Sequence, residues 1–244
     1  MVFYVDLTGK RVLVTGASSG IGRRTATDLA KRGAILVLSG RDAERLEATR
    51  QDLEPGDHIA ITAELKNPSE IATLVAACGQ IDGVVHSAGR SGPMPWKQLS
   101  EKFLDEILTT NFKSAILLTQ QLLGKSRIKE GASIVFLSSI AAHTGTRGMG
   151  SYSASKGALL SFMRAAALEL APKKIRINSV SPAMVRTEIW AADQAKWLDE
   201  QEKRYPLGLG KPEDVSNAII FLLSDASKYM TGTTVIMDGG CTFI

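Results

Sequence analysis

Tyr152 and Lys156 stand four residues apart in Tyr152-Ser-Ala-Ser-Lys156, at the head of a run rich in alanine and leucine that continues to Ala171. In an α-helix that spacing sets a phenol and an ammonium side by side on one face. A free phenol titrates near ~10, so donating and accepting a proton near neutrality asks for a shift of about three units, roughly 4 kcal/mol in favour of phenolate. A neighbouring lysine cation supplies part of that preference. Upstream, the apolar run Ile134-Val-Phe-Leu137 reads as a buried strand and ends in Ser138-Ser139. A serine hydroxyl at that strand end can hydrogen-bond a carbonyl oxygen, and physics does not choose between the two. Such a set would move a proton on and off an oxygen attached to a reacting carbon. Taken alone, Tyr-x-x-x-Lys also describes an ordinary surface pair on a helix, so the elements around it must decide.

Those elements belong to a chain of 244 residues, 44% hydrophobic, without a low-complexity tract. Length and composition predict one large domain, 1–244, with a substantial core. The start, Met1 to Lys10, holds only a short apolar patch broken by Asp6, and no uninterrupted apolar stretch reaches roughly eighteen residues. A soluble, cytosolic (cytoplasmic) protein is the expectation. Cys78 and Cys241 provide neither a disulfide framework nor metal spacing. A net charge of +4 with scattered basic residues gives no ground for nucleic-acid or membrane binding, and suits an anionic cofactor.

Arg11-Val-Leu-Val-Thr15 reads as a strand, followed by Gly16-Ala-Ser-Ser-Gly20-Ile-Gly22 and a helical stretch, Arg23 to Arg32, ending at Gly33. Strand, glycine turn and helix is the arrangement that brings backbone amides and a helix N-terminus to a pyrophosphate. The spacing Gly-x-x-x-Gly-x-Gly differs from the Gly-x-Gly-x-x-Gly fingerprint. Repeated short apolar strands separated by helical stretches predict an α/β fold, a doubly wound parallel sheet of the Rossmann type with helices on both faces.

Thr15-Gly-Ala-Ser-Ser-Gly-Ile-Gly22, Ser87-Ala-Gly89, Asn111, Ser139, Tyr152-x-x-x-Lys156 and Pro182-x-x-x-x-Thr187 together resemble the short-chain dehydrogenase/reductase family, in order and spacing from Arg11 to Gly240. The tail, Pro206 to Val215 with Asp238-Gly-Gly240, is similar to the branch of 3-oxoacyl-(acyl carrier protein) reductases and small carbonyl reductases. The resemblance implies a catalytic set of Asn111, Ser139, Tyr152 and Lys156. It places the serine thirteen residues before the tyrosine, which selects Ser139. It implies that Asn111, within a long helix read from Leu99 to Leu123, kinks that helix and holds a water linked to Lys156. Burying an amide without partners costs roughly 1–3 kcal/mol, which calls for such a role.

The resemblance also implies a dinucleotide along Gly16, Ser18, Ser19, Gly20, Ile21 and Gly22, then Glu64-Leu65, Ser87-Ala88-Gly89, Tyr152, Lys156, and Pro182, Val185 and Thr187 beside the nicotinamide. Family habit has an aspartate at Glu64, an asparagine at Ser87 and glycine at Ala183. At the end of the second strand, Ala34 to Ser39, the resemblance aligns the position that selects between cofactors with Gly40. Asp42 falls two later and reads as the cap of a helix from Ala43 to Leu53. Arg41 is left to face a 2′-phosphate, so NADP(H) is favoured over NAD(H), although Ser19 stands where many NADP-using relatives carry a second basic residue. His58, His86 and His143 read as packing residues.

The cover of the site is expected from Met184 to Leu207, with Trp190, Trp197 and Tyr205, and from Arg90 to Trp96. Gln120, Gln121, Lys125, Arg127 and Lys129 read as a solvated face, with docking of an acidic carrier protein as the alternative. The expected activity is NADP(H)-dependent hydride transfer to a small-molecule carbonyl or from an alcohol. The runner-up is a 3-oxoacyl-(acyl carrier protein) reductase with that carrier as partner, and the reading from another class is a redox-inert NADP(H)-binding sensor. A homotetramer is implied by resemblance, and no metal site is expected.

Overall fold

The computed structural model describes residues 5–188 and 195–242. Seven parallel strands form one sheet in the order β3-β2-β1-β4-β5-β6-β7: β1 Arg11–Thr15, β2 Ile35–Gly40, β3 Ile59–Thr62, β4 Ile81–His86, β5 Ile128–Leu137, β6 Arg176–Pro182 and β7 Thr234–Met237. The direction of winding reverses between β1 and β4, the switch point of a doubly wound sheet, and the strands end level there, Thr15 opposite both Ser39 and His86.

Strand side chains alternate between two cores because both faces are covered by helices. Leu13, Val84, Ile134 and Phe136 face α3 (Pro68–Ala77), α5 (Ser114–Gly124) and α6 (Gly150–Leu170). Val12, Val14, Leu36, Leu38 and Val135 face α1 (Gly20–Ala30), α2 (Ala43–Gln51) and α8 (Pro212–Leu223). Asp42 caps α2, its carboxylate accepting from Arg45 N–H at 3.0 Å.

The kink that the resemblance implies at Asn111 is present, and two expected elements differ in their bounds. The helix read from Leu99 to Leu123 is broken into α4 (Glu101–Leu108), a π-helical segment Thr109–Lys113 and α5. One residue too many in the turn lets Asn111 point inward, where it is buried. The proposed solvated face is likewise split. α5 ends at Gly124 and β5 begins at Ile128, so Lys129 lies on a strand and pairs with Asp82 at 2.9 Å. Within the cover, α7 spans Ala195–Glu202, while Trp190 lies outside the described residues. Among the described residues no helix is long and apolar enough to cross a membrane.

The three histidines hold packing positions. His58 accepts from Leu36 N–H at Nδ1 and faces Glu54 O through Nε2, while His143 meets the Ser181 hydroxyl. His86 is buried, and desolvation presses its pKa to about 3. Thr119 spends its hydroxyl proton on Ala115 O, so His86 Nε2 is the donor in their 2.8 Å bond.

Candidate active site

A cleft of about 590 Å³ crosses the carboxyl ends of the strands, from Arg41 and Glu64 at one end to Ser139 and Tyr152 at the other. Its floor at the switch point is made of backbone. Thr15 Oγ1 accepts from the amides of Ser87 and Ala88, both at 3.2 Å, which sews the end of β1 to the turn after β4. Gly16 has φ 66°, and a Cβ there would lie 2.8 Å from Ala88 N. On Gly22 a Cβ would lie 2.3 Å from Gly16 O. Side chains at either position would push the turn apart.

α1 starts at Gly20, and among the described residues no side chain caps it and no acid sits in its first turn. The amides of that turn, with the positive end of the helix dipole, face the cleft. An N-terminus of this kind, bare of competing carboxylates, fits a pyrophosphate. Every residue of the expected dinucleotide path, from Gly16 to Thr187, lines this one cleft.

At the other end four side chains converge by different routes. Ser138 and Ser139 part company at the end of β5. Both line the cleft, but Ser138 is buried and donates its hydroxyl to Lys156 O at 3.1 Å, whereas the Ser139 hydroxyl acts on Tyr152, holding its pKa down against the rise that burial causes. Tyr152 lies in the first turn of α6, and Lys156 one turn later has its Nζ 5.7 Å from the centre of the Tyr152 ring. That ammonium is anchored on Leu137 O at 2.6 Å.

Asn111 does not line the cleft. Its Oδ1 accepts from Arg90 N at 2.8 Å, while Nδ2 donates to Arg90 O at 2.9 Å and Ser155 Oγ at 3.0 Å. Ser155 in turn donates to Tyr152 O at 2.7 Å. The amide therefore ties the turn after β4 to the first turn of α6. A Cβ built on Gly89 would be 3.2 Å from Asn111 Oδ1 and 3.5 Å from Lys156 Nζ, so glycine there lets Asn111 and the lysine close on the same turn.

Protonation runs against the simple expectation that lysine depresses the tyrosine. Burial raises the Tyr152 pKa above the usual phenol value, and the Ser139 hydroxyl only partly opposes it. Lys156 is itself buried, and desolvation brings its pKa down to about 8. The ammonium is thus close to losing its proton near neutrality, and the phenol holds its own.

At the far end Gly40 leaves a notch beside Ser18, where a Cβ would already be 3.2 Å from Ser18 Oγ and 3.3 Å from Leu46. Arg41 is exposed there, and Glu64 lies 3.7 Å from it. Lys66 lines the same end. Sequence reasoning passed over Ser155 and Lys66; Ser155 gave no signal, whereas Lys66 is a cation two residues beyond the end of the third strand's Glu64. On the cover, Arg186 pairs with Asp199 at 3.0 Å and Glu202 at 2.9 Å and ties α7 to the segment that carries Val185 and Thr187. Tyr205 is half-buried on the same cover, and burial raises its phenol above the usual value. The other rim, Arg90 to Trp96, is pinned by Met94 N to Gly148 O at 2.8 Å and leaves Trp96 exposed.

A backbone cradle for an anion, joined to a hydroxyl, phenol and ammonium at the far strand ends, defines an oxidoreductase of the doubly wound class. Comparison with known proteins agrees. The family model described as Enoyl-(Acyl carrier protein) reductase matches residues 16–242. The 3-oxoacyl-[acyl-carrier-protein] reductase FabG of Rickettsia felis is 31% identical over 241 residues, covering 98% of this chain and 100% of the relative. The (2S)-[(R)-hydroxy(phenyl)methyl]succinyl-CoA dehydrogenase subunit BbsD of Thauera aromatica is 32% identical, covering 97% and 98%. Among solved structures, the short-chain dehydrogenase/reductase SDR:Glucose/ribitol dehydrogenase of Brucella melitensis superposes with a TM-score of 0.92 at 33% identity, over 98% of this chain and 99% of that one. The chain belongs to the short-chain dehydrogenase/reductase family and is an oxidoreductase.

Proposed function

We propose that this chain is an NADP(H)-dependent carbonyl reductase that also runs in the alcohol-oxidising direction. The observation that carries the reading is that Ser139, Tyr152 and Lys156 line the same cleft as the glycine turn from Gly16 to Gly22. Gly16 to Gly22 would hold the pyrophosphate, Arg41 the 2′-phosphate, Glu64, Leu65 and Ser87 to Gly89 the adenosine side. Lys156 and Tyr152 would hold the nicotinamide ribose, and Pro182, Val185 and Thr187 the carboxamide. Bound there, the reduced nicotinamide supplies a hydride to a carbonyl carbon.

The chain's own groups handle the oxygen. Ser139 and Tyr152 hydrogen-bond it, and Tyr152 gives its proton as negative charge develops. Burial keeps the phenol protonated and ready for that step. Lys156, with a pKa of about 8, can return a proton to the phenolate, and its charged form lowers the cost of that phenolate. Asn111 Oδ1 keeps a second lone pair for a water on the path from Lys156 to solvent. In the oxidising direction Tyr152 acts as the base.

The substrate reading we favour within this class is a thioester bearing a 3-oxo group, because the printed names of two relatives describe acyl groups carried on a carrier protein or on coenzyme A. Purified protein is assayed for NADPH and NADH oxidation against an acetoacetyl thioester, free 3-oxo esters, cyclic ketones and keto-sugars. Turnover of the thioester with NADPH is expected; turnover of free carbonyls alone would remove the thioester reading, and preference for NADH would remove the role of Arg41. Exposed Leu117 and Phe162, on α5 and α6, support assembly into a homotetramer through these helices, which light scattering tests.

A further inference from the structure

The turn after β3 carries an arrangement that the glycine cradle and the hydroxyl site do not use. Glu64 has its two carboxylate oxygens in different employment. Oε1 accepts from the amide of Lys66 at 3.3 Å, which folds the carboxylate back over its own turn. Oε2 faces Arg41 at 3.7 Å and the Lys66 ammonium at 4.0 Å. The turn itself is braced, since Glu64 N donates to Glu70 Oε2 at 2.7 Å, Asn67 Nδ2 donates to Glu70 Oε1 at 2.9 Å, and Asn67 N donates to Glu64 O at 2.8 Å. A single anionic oxygen is thus within reach of two cations from two different strand ends, at the edge of the notch formed by Gly40 and Ser18.

We propose that Lys66 is the second cation for the 2′-phosphate, taking the part that Ser19 cannot, and that Glu64 is a built-in competitor that sets how strongly the phosphate is preferred. The inference rests on the NADP(H) reading given above. A phosphate monoester carries about −1.5 to −2 charges near neutrality and three acceptor oxygens, against one charge on a carboxylate, so it displaces Glu64 from Arg41 and Lys66. The displaced carboxylate stays nearby and repels it. A 2′-hydroxyl carries no charge and can donate to a carboxylate. Glu64 therefore narrows the gap between the phosphorylated and unphosphorylated cofactors, while Arg41 and Lys66 widen it.

Two ligands that differ only by this phosphate test the proposal without turnover: adenosine 2′,5′-bisphosphate and adenosine 5′-monophosphate, titrated calorimetrically into the full chain at low and high salt. The wild type is expected to prefer the bisphosphate. Lys66→Met lowers that preference about tenfold, the loss of one charge-assisted bond, and flattens its salt dependence. Glu64→Gln keeps the oxygen that accepts from the Lys66 amide, removes the charge, and raises the preference severalfold. Melting temperatures close to wild type exclude a general loss of structure. If Arg41→Met abolishes the preference while Lys66→Met and Glu64→Gln change it by less than about twofold, the inference is wrong and the NADP(H) reading stands. A wild type with no preference for the bisphosphate overturns both.

Discussion

The two ends of the cleft are built from different materials. The glycine-turn end is backbone: amides of the first turn of α1, carbonyls, and glycines whose Cβ atoms would strike main chain. The hydroxyl end is side chain: Ser139, Tyr152 and Lys156 brought from β5 and α6 and held by Asn111 and Ser155. A backbone cradle recognises an anion through fixed dipoles that need no particular protonation state. A side-chain site works only through protonation, and here burial decides it, raising Tyr152 and lowering Lys156. Binding and chemistry should therefore be separable by mutation.

The largest separation is expected from Tyr152→Phe. Removing one hydroxyl should lower turnover by about 10²–10⁴-fold or more, the usual worth of a positioned general acid, while dinucleotide affinity measured by fluorescence titration falls far less, by the loss of one ribose contact. Retained turnover would break the assignment of the proton donor. Gly22→Ala attacks the other half. Its Cβ would lie 2.3 Å from Gly16 O, and relieving that overlap costs about 1–3 kcal/mol of stability. Dinucleotide binding and melting temperature should fall together, and an alanine variant that binds normally would show that the close approach is unimportant.

Lys156→Met sharpens the comparison through pH. The folded pKa of about 8 lies below the unfolded value of 10.5, so the unfolded chain binds more protons between the two. The penalty for burying the charged lysine is fully present below pH 8 and is relieved as pH rises from about 8 towards 10.5. Wild-type stability minus that of Lys156→Met should climb by a few kcal/mol across this window, read from urea unfolding at each pH. A flat difference would mean that the ammonium is solvated in the folded protein. The methionine variant should also be inactive and, below pH 8, more stable than wild type.

The smallest effect is expected at Asp42. As a cap whose carboxylate accepts from Arg45 N–H, it is worth roughly 1 kcal/mol. Asp42→Ala should lower the melting temperature by a few degrees and leave the affinity for NAD⁺ unchanged. A selective loss of NAD⁺ affinity would make it a ribose ligand instead.

Sequence by itself determined the parts whose physics is local or periodic. Alternating apolar runs specified a sheet covered on both faces, the glycine spacing at 16, 20 and 22 specified the turn, Asp42 read as a cap, and Tyr152 with Lys156 read as neighbours because helical geometry makes them so. Tertiary structure decided what depends on neighbours distant in the chain. It split Ser138 from Ser139, since both line the cleft but the Ser138 hydroxyl is buried and spent on Lys156 O. It broke the helix at Asn111, where a π-helical turn and three hydrogen bonds to Arg90 and Ser155 replace a regular turn. It set the direction of the tyrosine and lysine pKa shifts, because desolvation is a property of everything packed around a group. It also brought Lys66 and Arg41 to one carboxylate oxygen, a meeting of two strand ends that no spacing along the chain encodes.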